Sequence, residues 1–102
     1  MSVAQIFKAL GDPIRLEIVT RLSNGTDLTI SDISKDLGVT RQGARKQLQV
    51  LVSAKIVKLT PEGREVKVTL DSSRLEVAQA FIAKLERQWD QRLQALKNLT
   101  EQ

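Results

Sequence analysis

Apolar residues near the start of the chain follow helical spacing. Within residues 3–10 they form one stripe of four side chains, which are Val3, Ile6, Phe7 and Leu10. Ser2 and Gln5 have the types and spacing of a helix-capping box. A helix of this length is not stable alone, so we expect its apolar stripe to be buried against another element.

A second helix is predicted between two breaks in this pattern. Gly11 ends the first helix, and Asp12 caps the second one, with Pro13 at its first position. Asn24 and Gly25 provide a left-handed stop. The predicted apolar face is broad and consists of Ile14, Leu16, Ile18, Val19 and Leu22.

Two further helices are predicted on either side of a three-residue link. Thr29 and Asp32 open a short helix over roughly residues 30–37, and the link Gly38-Val39-Thr40 follows it. Thr40 caps a fourth helix that runs to about Ala54. The inward-facing side chains are Ile33, Leu37, Ala44, Leu48, Leu51 and Val52. Two helices joined in this way, with a glycine in the turn, predict a helix-turn-helix motif.

The period of the apolar pattern changes to two in the next segment. Ile56, Val57 and Leu59 come before the turn residues Pro61-Glu62-Gly63. After them, Val66, Val68 and Leu70 alternate with Glu65, Lys67 and Thr69. This pattern predicts a β-hairpin.

The last predicted helix is the longest, because no Gly or Pro interrupts residues 73–99. Ser73 and Glu76 have the spacing of a capping box. The apolar side chains along it are Leu75, Ala78, Ile82, Leu85, Trp89, Leu93, Leu96 and Leu99. A helix of this length spans roughly 40 Å, whereas a domain of about 100 residues has a radius of gyration of roughly 13 Å. We therefore expect the helix to project past the core and to pack against a second chain.

Composition favours one soluble globular domain over residues 1–102, since 41% of the residues are apolar and 27% are charged. No apolar run is long enough for a membrane span, and the first residues lack the features of a signal peptide. These observations are compatible with a cytoplasmic location. Cys, His and Tyr are absent, which removes the usual thiol, metal-ligand and general-base chemistry. We therefore expect no enzyme activity, no metal site and no cofactor.

Positive charge is concentrated in one window. Residues 37–61 contain five basic side chains and no acidic one, and these are Arg41, Arg45, Lys46, Lys55 and Lys58. The segments before and after this window are close to neutral. Such a window is typical of a surface that binds a polyanion, and it also fits a solvated helix face.

The fourth helix carries residue types that read DNA. An α-helix fits the major groove, where its N-terminal side chains reach the base edges. We predict base contacts for Thr40, Arg41, Gln42 and Arg45, and phosphate contacts for Lys46 and Gln49. Neutral phosphate contacts are predicted for Thr29, Ser31 and Ser34. Gly43 costs about 1 kcal/mol in a helix interior, and indicates either close approach to DNA or a tolerated defect.

The hairpin completes a winged helix-turn-helix fold, mostly α-helical, with five helices and a two-stranded wing. Arg64 and Lys67 are predicted to contact phosphate or the minor groove. Glu62 at the wing tip repels phosphate, so we expect the wing to contribute less than the fourth helix.

Two segments resemble the ArsR family of winged-helix repressors. The first is FKALGDPIRLEI (7–18), and the second is ISDISKDLGVTRQGARKQLQVLVSAKIV (30–57), followed by a Gly-tipped wing. The resemblance covers about residues 4–97. It implies a homodimeric repressor whose first and last helices form the dimer interface. The dimer contacts that it implies are Ile6, Phe7, Leu10, Phe81, Ile82, Leu85, Trp89 and Leu93.

The chain departs from the family where many members bind metal. Those members have Cys in the third helix or His in the last one, whereas this chain has Ile30-Ser31-Asp32-Ile33 and a His-free last helix. It resembles a metal-independent subgroup with a Trp and an Arg-Leu pair in the last helix, here Trp89 and Arg92-Leu93. The resemblance implies that the recognition helix is Thr40 to Ala54. In it, Arg45 and Gln47 replace the Ser and His that are usual in the family, so the base preference stays open.

Two functions compete on these observations. The first is a dimeric, sequence-specific DNA-binding repressor with a near-palindromic operator. The second is a winged-helix protein interaction module, or an anti-repressor, that does not touch an operator. The aromatic residues Phe7, Phe81 and Trp89 also fit a small-ligand pocket between the dimer helices, although interface packing explains them more simply.

Overall fold

Five helices and three strands make up most of residues 2–101, the part of the chain that the computed structural model describes. The helices are α1 (Val3–Leu10), α2 (Pro13–Ser23), α3 (Ile30–Leu37), α4 (Arg41–Ser53) and α5 (Ser73–Thr100). The strands are β1 (Leu28–Thr29), β2 (Val57–Glu62) and β3 (Glu65–Leu70). The predicted fold, a helix-turn-helix followed by a β-hairpin and a long final helix, is confirmed.

Capping residues fix the starts of α1 and α2 as predicted. The Ser2 hydroxyl accepts the Gln5 N–H, and the Gln5 side chain accepts the Ser2 N–H in return. The Asp12 carboxylate accepts the N–H groups of Ile14 and Arg15 at 3.0 and 3.1 Å. These bonds satisfy donors that have no partner inside the helix, so the local sequence alone sets where each helix begins.

The start of α5 differs from the prediction. The expected capping box of Ser73 and Glu76 does not form, because Ser73 is already the first helical residue and Ser72 before it makes no side-chain cap. The Asp71 carboxylate supplies the acceptor instead, and takes the N–H and the hydroxyl of Ser73 at 3.1 and 2.9 Å. These bonds, with Lys58 at 3.7 Å, hold the pKa of Asp71 below its usual value.

The wing is part of a three-stranded antiparallel sheet with the order β1-β3-β2. β2 and β3 pair along their whole length and end with Glu62 opposite Glu65. The turn is therefore Gly63-Arg64, with Gly63 at a φ of 64°, and the predicted turn began two residues too early. Pro61 lies within β2, which tolerates it because β2 is an edge strand. The third strand, β1, was not predicted.

One cluster of buried apolar side chains lies between α1, α2, α3, α4 and the base of the sheet. Its most deeply buried members are Ile6, Ile18, Ile30, Ile33, Leu48, Leu51, Ile56, Val57 and Val68. Leu16 was predicted to join the apolar face of α2, but it is 52% exposed because it lies on the solvent side of that helix. Ile6 was expected at a dimer interface. It has no exposed surface and belongs to the core, so that expectation is wrong.

Lys55, which follows the C-cap residue Ala54 of α4, has an unusual conformation with a φ of 59°. The N–H groups of Lys55 and Ile56 bond back to the carbonyls of Val52 and Leu51, which is the Schellman arrangement that normally carries glycine. A side chain in this left-handed region costs roughly 1 kcal/mol. We expect Lys55→Gly to raise the free energy of unfolding by about that amount in urea titrations, whereas Lys55→Ala, which keeps a Cβ, gives no such gain. An equal gain in both variants would show that lysine charge, and not backbone strain, is responsible.

α5 extends the molecule well beyond the core. The Cα radius of gyration is 18.4 Å and the principal extents are 69 × 24 × 22 Å, whereas a domain of about 100 residues is expected to have a radius near 13 Å. Ala78 is the last residue of α5 that is buried. Among the described residues, no helix combines the length and the apolar character that crossing a membrane requires.

Candidate nucleic-acid interface

Hydrogen bonds cap the start of α3 and hold the link between α3 and α4. A capping box of Thr29 and Asp32 starts α3. In it the Thr29 N–H donates to the Asp32 carboxylate, and this bond holds the pKa of Asp32 below the ordinary 3.8. Gly38 ends α3 at a φ of 65°, and the Ser34 hydroxyl donates to the Val39 carbonyl. Thr29 and Ser34 were predicted as phosphate contacts, but the structure uses both to hold the motif together.

α4 has one side in the core and one side in solvent. Ala44, Leu48 and Leu51 are fully buried beneath it. The six residues predicted to contact DNA from this segment are all exposed, and they are Thr40, Arg41, Gln42, Arg45, Lys46 and Gln49. The structure therefore brings them together on one accessible surface, which we call the α4 face.

The cations of the α4 face have no carboxylate partners. Arg41, Arg45 and Lys46 take part in no ion pair within residues 2–101, whereas Lys58 from the same basic window pairs with Asp71. Arg41 and Arg45 also stand one helical turn apart, a like-charge spacing that destabilises a helix by roughly 0.2–0.5 kcal/mol. Binding of an anion relieves this repulsion, so the α4 face is suited to a polyanion.

Gly43 has a local structural reason. The Thr40 hydroxyl caps α4 by accepting the Gly43 N–H at 2.9 Å. A Cβ on Gly43 would lie 3.1 Å from that same hydroxyl oxygen, closer than ordinary van der Waals contact. The glycine therefore leaves space for the cap, an explanation that the sequence alone did not provide.

The wing side chains are partly occupied by contacts inside the chain. The Ser31 hydroxyl donates to the Glu65 carboxylate at 3.1 Å, so its single O–H is already in use. Lys67 pairs with Asp27 at 3.3 Å across the sheet. Arg64 lies exposed in the turn. Of the two predicted wing contacts, Lys67 is therefore engaged in an ion pair, whereas Arg64 is exposed at the tip, where DNA can reach it.

Arg15 connects three helices, and sequence reasoning gave it no role. Its guanidinium donates to the Ala9 and Lys8 carbonyls at the end of α1, at 2.6 and 3.3 Å. It also donates to the Gln47 side chain on α4 at 2.8 Å. No local pattern reveals this contact, because Gln47 is 32 positions away and the other acceptors are backbone atoms.

α5 presents an apolar face that the rest of residues 2–101 leaves exposed. The exposed side chains on it are Val77, Phe81, Ile82, Leu85, Trp89, Leu93, Leu96 and Leu99, with Trp89 59% exposed. At the base of this face the Phe7 and Phe81 rings meet edge to face, with centroids 5.9 Å apart. Phe7 and Leu10 are half-buried against the core beside it. Apart from Ile6, the predicted dimer contacts therefore remain accessible to a second chain.

The acidic side chains are not arranged as a metal site. Within residues 2–101, no three Asp or Glu side chains lie together in a group that could hold an ion. Asp32 caps α3, and Asp36 pairs with Arg21 at 3.6 Å.

Comparison with known proteins gives consistent matches. The family described as "Helix-turn-helix domain" matches residues 10–60. The chain is 32% identical over 84 residues to the cadmium resistance transcriptional regulatory protein CadC homolog of Staphylococcus aureus, across 80% of this chain and 69% of that protein. It is 33% identical over 87 residues to the HTH-type transcriptional regulator Rv2034 of Mycobacterium tuberculosis, across 85% and 78% respectively. An ArsR-like transcriptional regulator from Rhodococcus sp. RHA1 has the same fold, with a TM-score of 0.83, 31% identity, and coverage of 97% of this chain and 90% of that one.

Proposed function

Because the chain belongs to the ArsR family of winged-helix transcriptional regulators, we propose that it is a homodimeric repressor that binds a specific DNA operator without sensing metal. The observation that carries this proposal is the α4 face, where cations and amides are exposed and the cations have no carboxylate partner among residues 2–101. Each protomer acts as one winged-helix domain.

In this proposal the α4 face enters the major groove. Arg41 and Arg45 each pair with the O6 and N7 atoms of a guanine, and Gln42 pairs with an adenine. Lys46 and Gln49 lie further along the helix and bind phosphate, which sets the depth of insertion without reading sequence. Since α4 is held to α3 and the sheet by its buried side, these side chains are presented on a rigid support.

The apolar face of α5 supports dimerisation. An exposed stripe of eight large apolar side chains on one helix is not expected of a monomer in water. In this proposal two such faces pair around a two-fold axis, with the two α4 helices on the same side of the dimer. The operator is then a near-palindrome whose half-sites are about 34 Å apart, one turn of DNA.

The donor set of the chain supports independence from metal. One relative is named for cadmium resistance, whereas this chain contains no Cys and no His. Without thiolate or imidazole ligands, only carboxylates are left, and these do not form tight sites for soft or borderline metals. We expect cadmium and zinc to leave operator binding unchanged.

Selection of duplexes from a random pool tests the proposal, followed by fluorescence polarisation of the selected duplex at several salt concentrations. We expect a near-palindromic consensus and an affinity that falls steeply with salt, with a logarithmic slope of about −0.9 for each phosphate neutralised. The proposal is refuted if the selection enriches no sequence and the protein binds no duplex even at low salt. The protein would then be better described as an interaction module.

The wing tip provides a separate prediction. Glu62 and Glu65 face each other across β2 and β3, a like-charge pair that weakens the hairpin and repels DNA phosphate. We expect Glu62→Gln to stabilise the protein slightly and to raise operator affinity about 1.5- to 5-fold. Glu86→Gln, on the exposed part of α5, removes the same charge and is the matched control. Equal gains from both variants would show that net charge alone, and not the wing, is responsible.

A further inference from the structure

A groove of about 690 Å³ lies between α1 and α4, away from the apolar face of α5. Its floor is formed by Ala9, Val50 and Ala54. Ala9 and Ala54 are almost fully buried, whereas Val50 is 39% exposed. Val50 is therefore the apolar side chain of the floor that a ligand can contact. A volume of this size is typical of sites for small organic molecules.

The rim of the groove is positively charged. Lys8 from α1, Arg15 from α2 and Lys46 from α4 line it, and no carboxylate is among its lining residues. None of the three cations takes part in an ion pair within residues 2–101. Three cations that line one groove, with no carboxylate among its lining residues, give the groove a positive potential, which favours an anion.

Arg15 has capacity left for a ligand. A guanidinium carries five N–H donors, and Arg15 uses three of them, toward Lys8, Ala9 and Gln47. Those contacts hold the guanidinium in one position, so little entropy is lost when a carboxylate binds. Polar groups on Gln5, Gln49 and Ser53 complete the rim.

We propose that this α1–α4 groove binds a small amphipathic organic anion, with its carboxylate between Lys8, Arg15 and Lys46 and its apolar part on Val50. The effect of this anion on DNA binding, but not the binding of the anion itself, rests on the proposed function. Lys46 and Gln49 belong both to the groove and to the α4 face. An anion in the groove neutralises Lys46 and competes with DNA phosphate, so it weakens operator binding, and DNA weakens its binding by the same factor.

Amide chemical shifts of the ¹⁵N-labelled protein, titrated with octanoate in the absence of DNA, test the site directly. We expect saturable shifts at amides of residues 5–9 and 49–54, with half-saturation at about 1 mM. Octanamide, which has the same apolar part and no charge, is expected to bind at least fivefold more weakly. Lys8→Gln, and Val50→Asp at the half-exposed floor, are each expected to raise the half-saturating concentration at least fivefold, whereas Lys84→Gln on α5 leaves it unchanged.

Three results of this titration would overturn the proposal. They are equal binding of octanoate and octanamide, shifts that map to residues 81–99 on the apolar face of α5, and no saturation below about 10 mM. Because no DNA is present, these readouts do not depend on whether the protein binds an operator.

The regulatory part is tested with the selected duplex. Saturating octanoate is expected to weaken binding of the wild-type protein about 5- to 20-fold. Lys8→Gln is expected to bind the duplex like the wild type without octanoate and to lose most of its response at the same octanoate concentration. If octanoate saturates the groove and operator affinity stays unchanged, the link between the groove and the α4 face is refuted. If no duplex binds at all, the proposed function fails while the groove is still judged by the shift titration.

Discussion

Replacing both Leu85 and Trp89 by glutamate is expected to convert the protein to a monomer and to lower its affinity for the two-half-site operator about 100-fold or more. The two side chains are 48% and 59% exposed in the isolated chain, so they contribute little to its core. In a dimer they would be buried at the centre of the α5 seam, where an unpaired carboxylate is strongly unfavourable. Sedimentation velocity and fluorescence polarisation measure the two effects.

The loss of affinity in this variant has a specific form. A monomer keeps its α4 face, so it is expected to bind a single half-site as the wild-type chain does, and to lose only the gain from simultaneous engagement of two half-sites. Arg87→Glu places a new negative charge on the same helix but on the side opposite to Leu85 and Trp89, and is expected to remain dimeric. A double variant that stays dimeric, with full operator affinity, would rule out α5 as the dimer seam.

The features that the sequence predicted correctly are those set by neighbours along the chain. The caps at Ser2, Asp12, Thr29 and Thr40 each act on N–H groups two or three residues away, so their effect is readable locally. The same holds for the left-handed residue Gly38. These local signals predict α3 and α4, and with them the α4 face.

The features that it missed depend on contacts between distant segments. Strand β1 has two residues and exists because Leu28 and Thr29 pair with β3, which no periodicity can reveal. The spacing of apolar residues in α2 did not show which flank the core covers, so Leu16 was placed on the wrong face, whereas the resemblance assigned Ile6 to a dimer interface although it lies in the core. The Arg15 contacts were not predicted either, because one acceptor is the distant Gln47 side chain and the other is a backbone carbonyl.

Arg45→Ala is expected to weaken operator binding by about 1–3 kcal/mol and to relax the preference at one base pair of each half-site. The reason is that a bidentate contact to guanine is lost, while the phosphate contacts made by the rest of the α4 face remain. Competition between the selected duplex and duplexes substituted at single positions measures both effects. If all sequences lose affinity equally, Arg45 is a phosphate contact.

The same substitution is expected to act oppositely on folding. Arg45 has no ion-pair partner within residues 2–101 and stands one turn from Arg41, so its removal relieves a like-charge repulsion of roughly 0.2–0.5 kcal/mol. Lys46→Gln provides the matched comparison, because loss of a phosphate contact weakens all duplexes alike and lowers the salt slope by about 1. Loss of a structural residue lowers both stability and affinity. If the Arg45→Ala protein is slightly more stable and binds its operator less selectively, the role of Arg45 is therefore in reading DNA and not in folding.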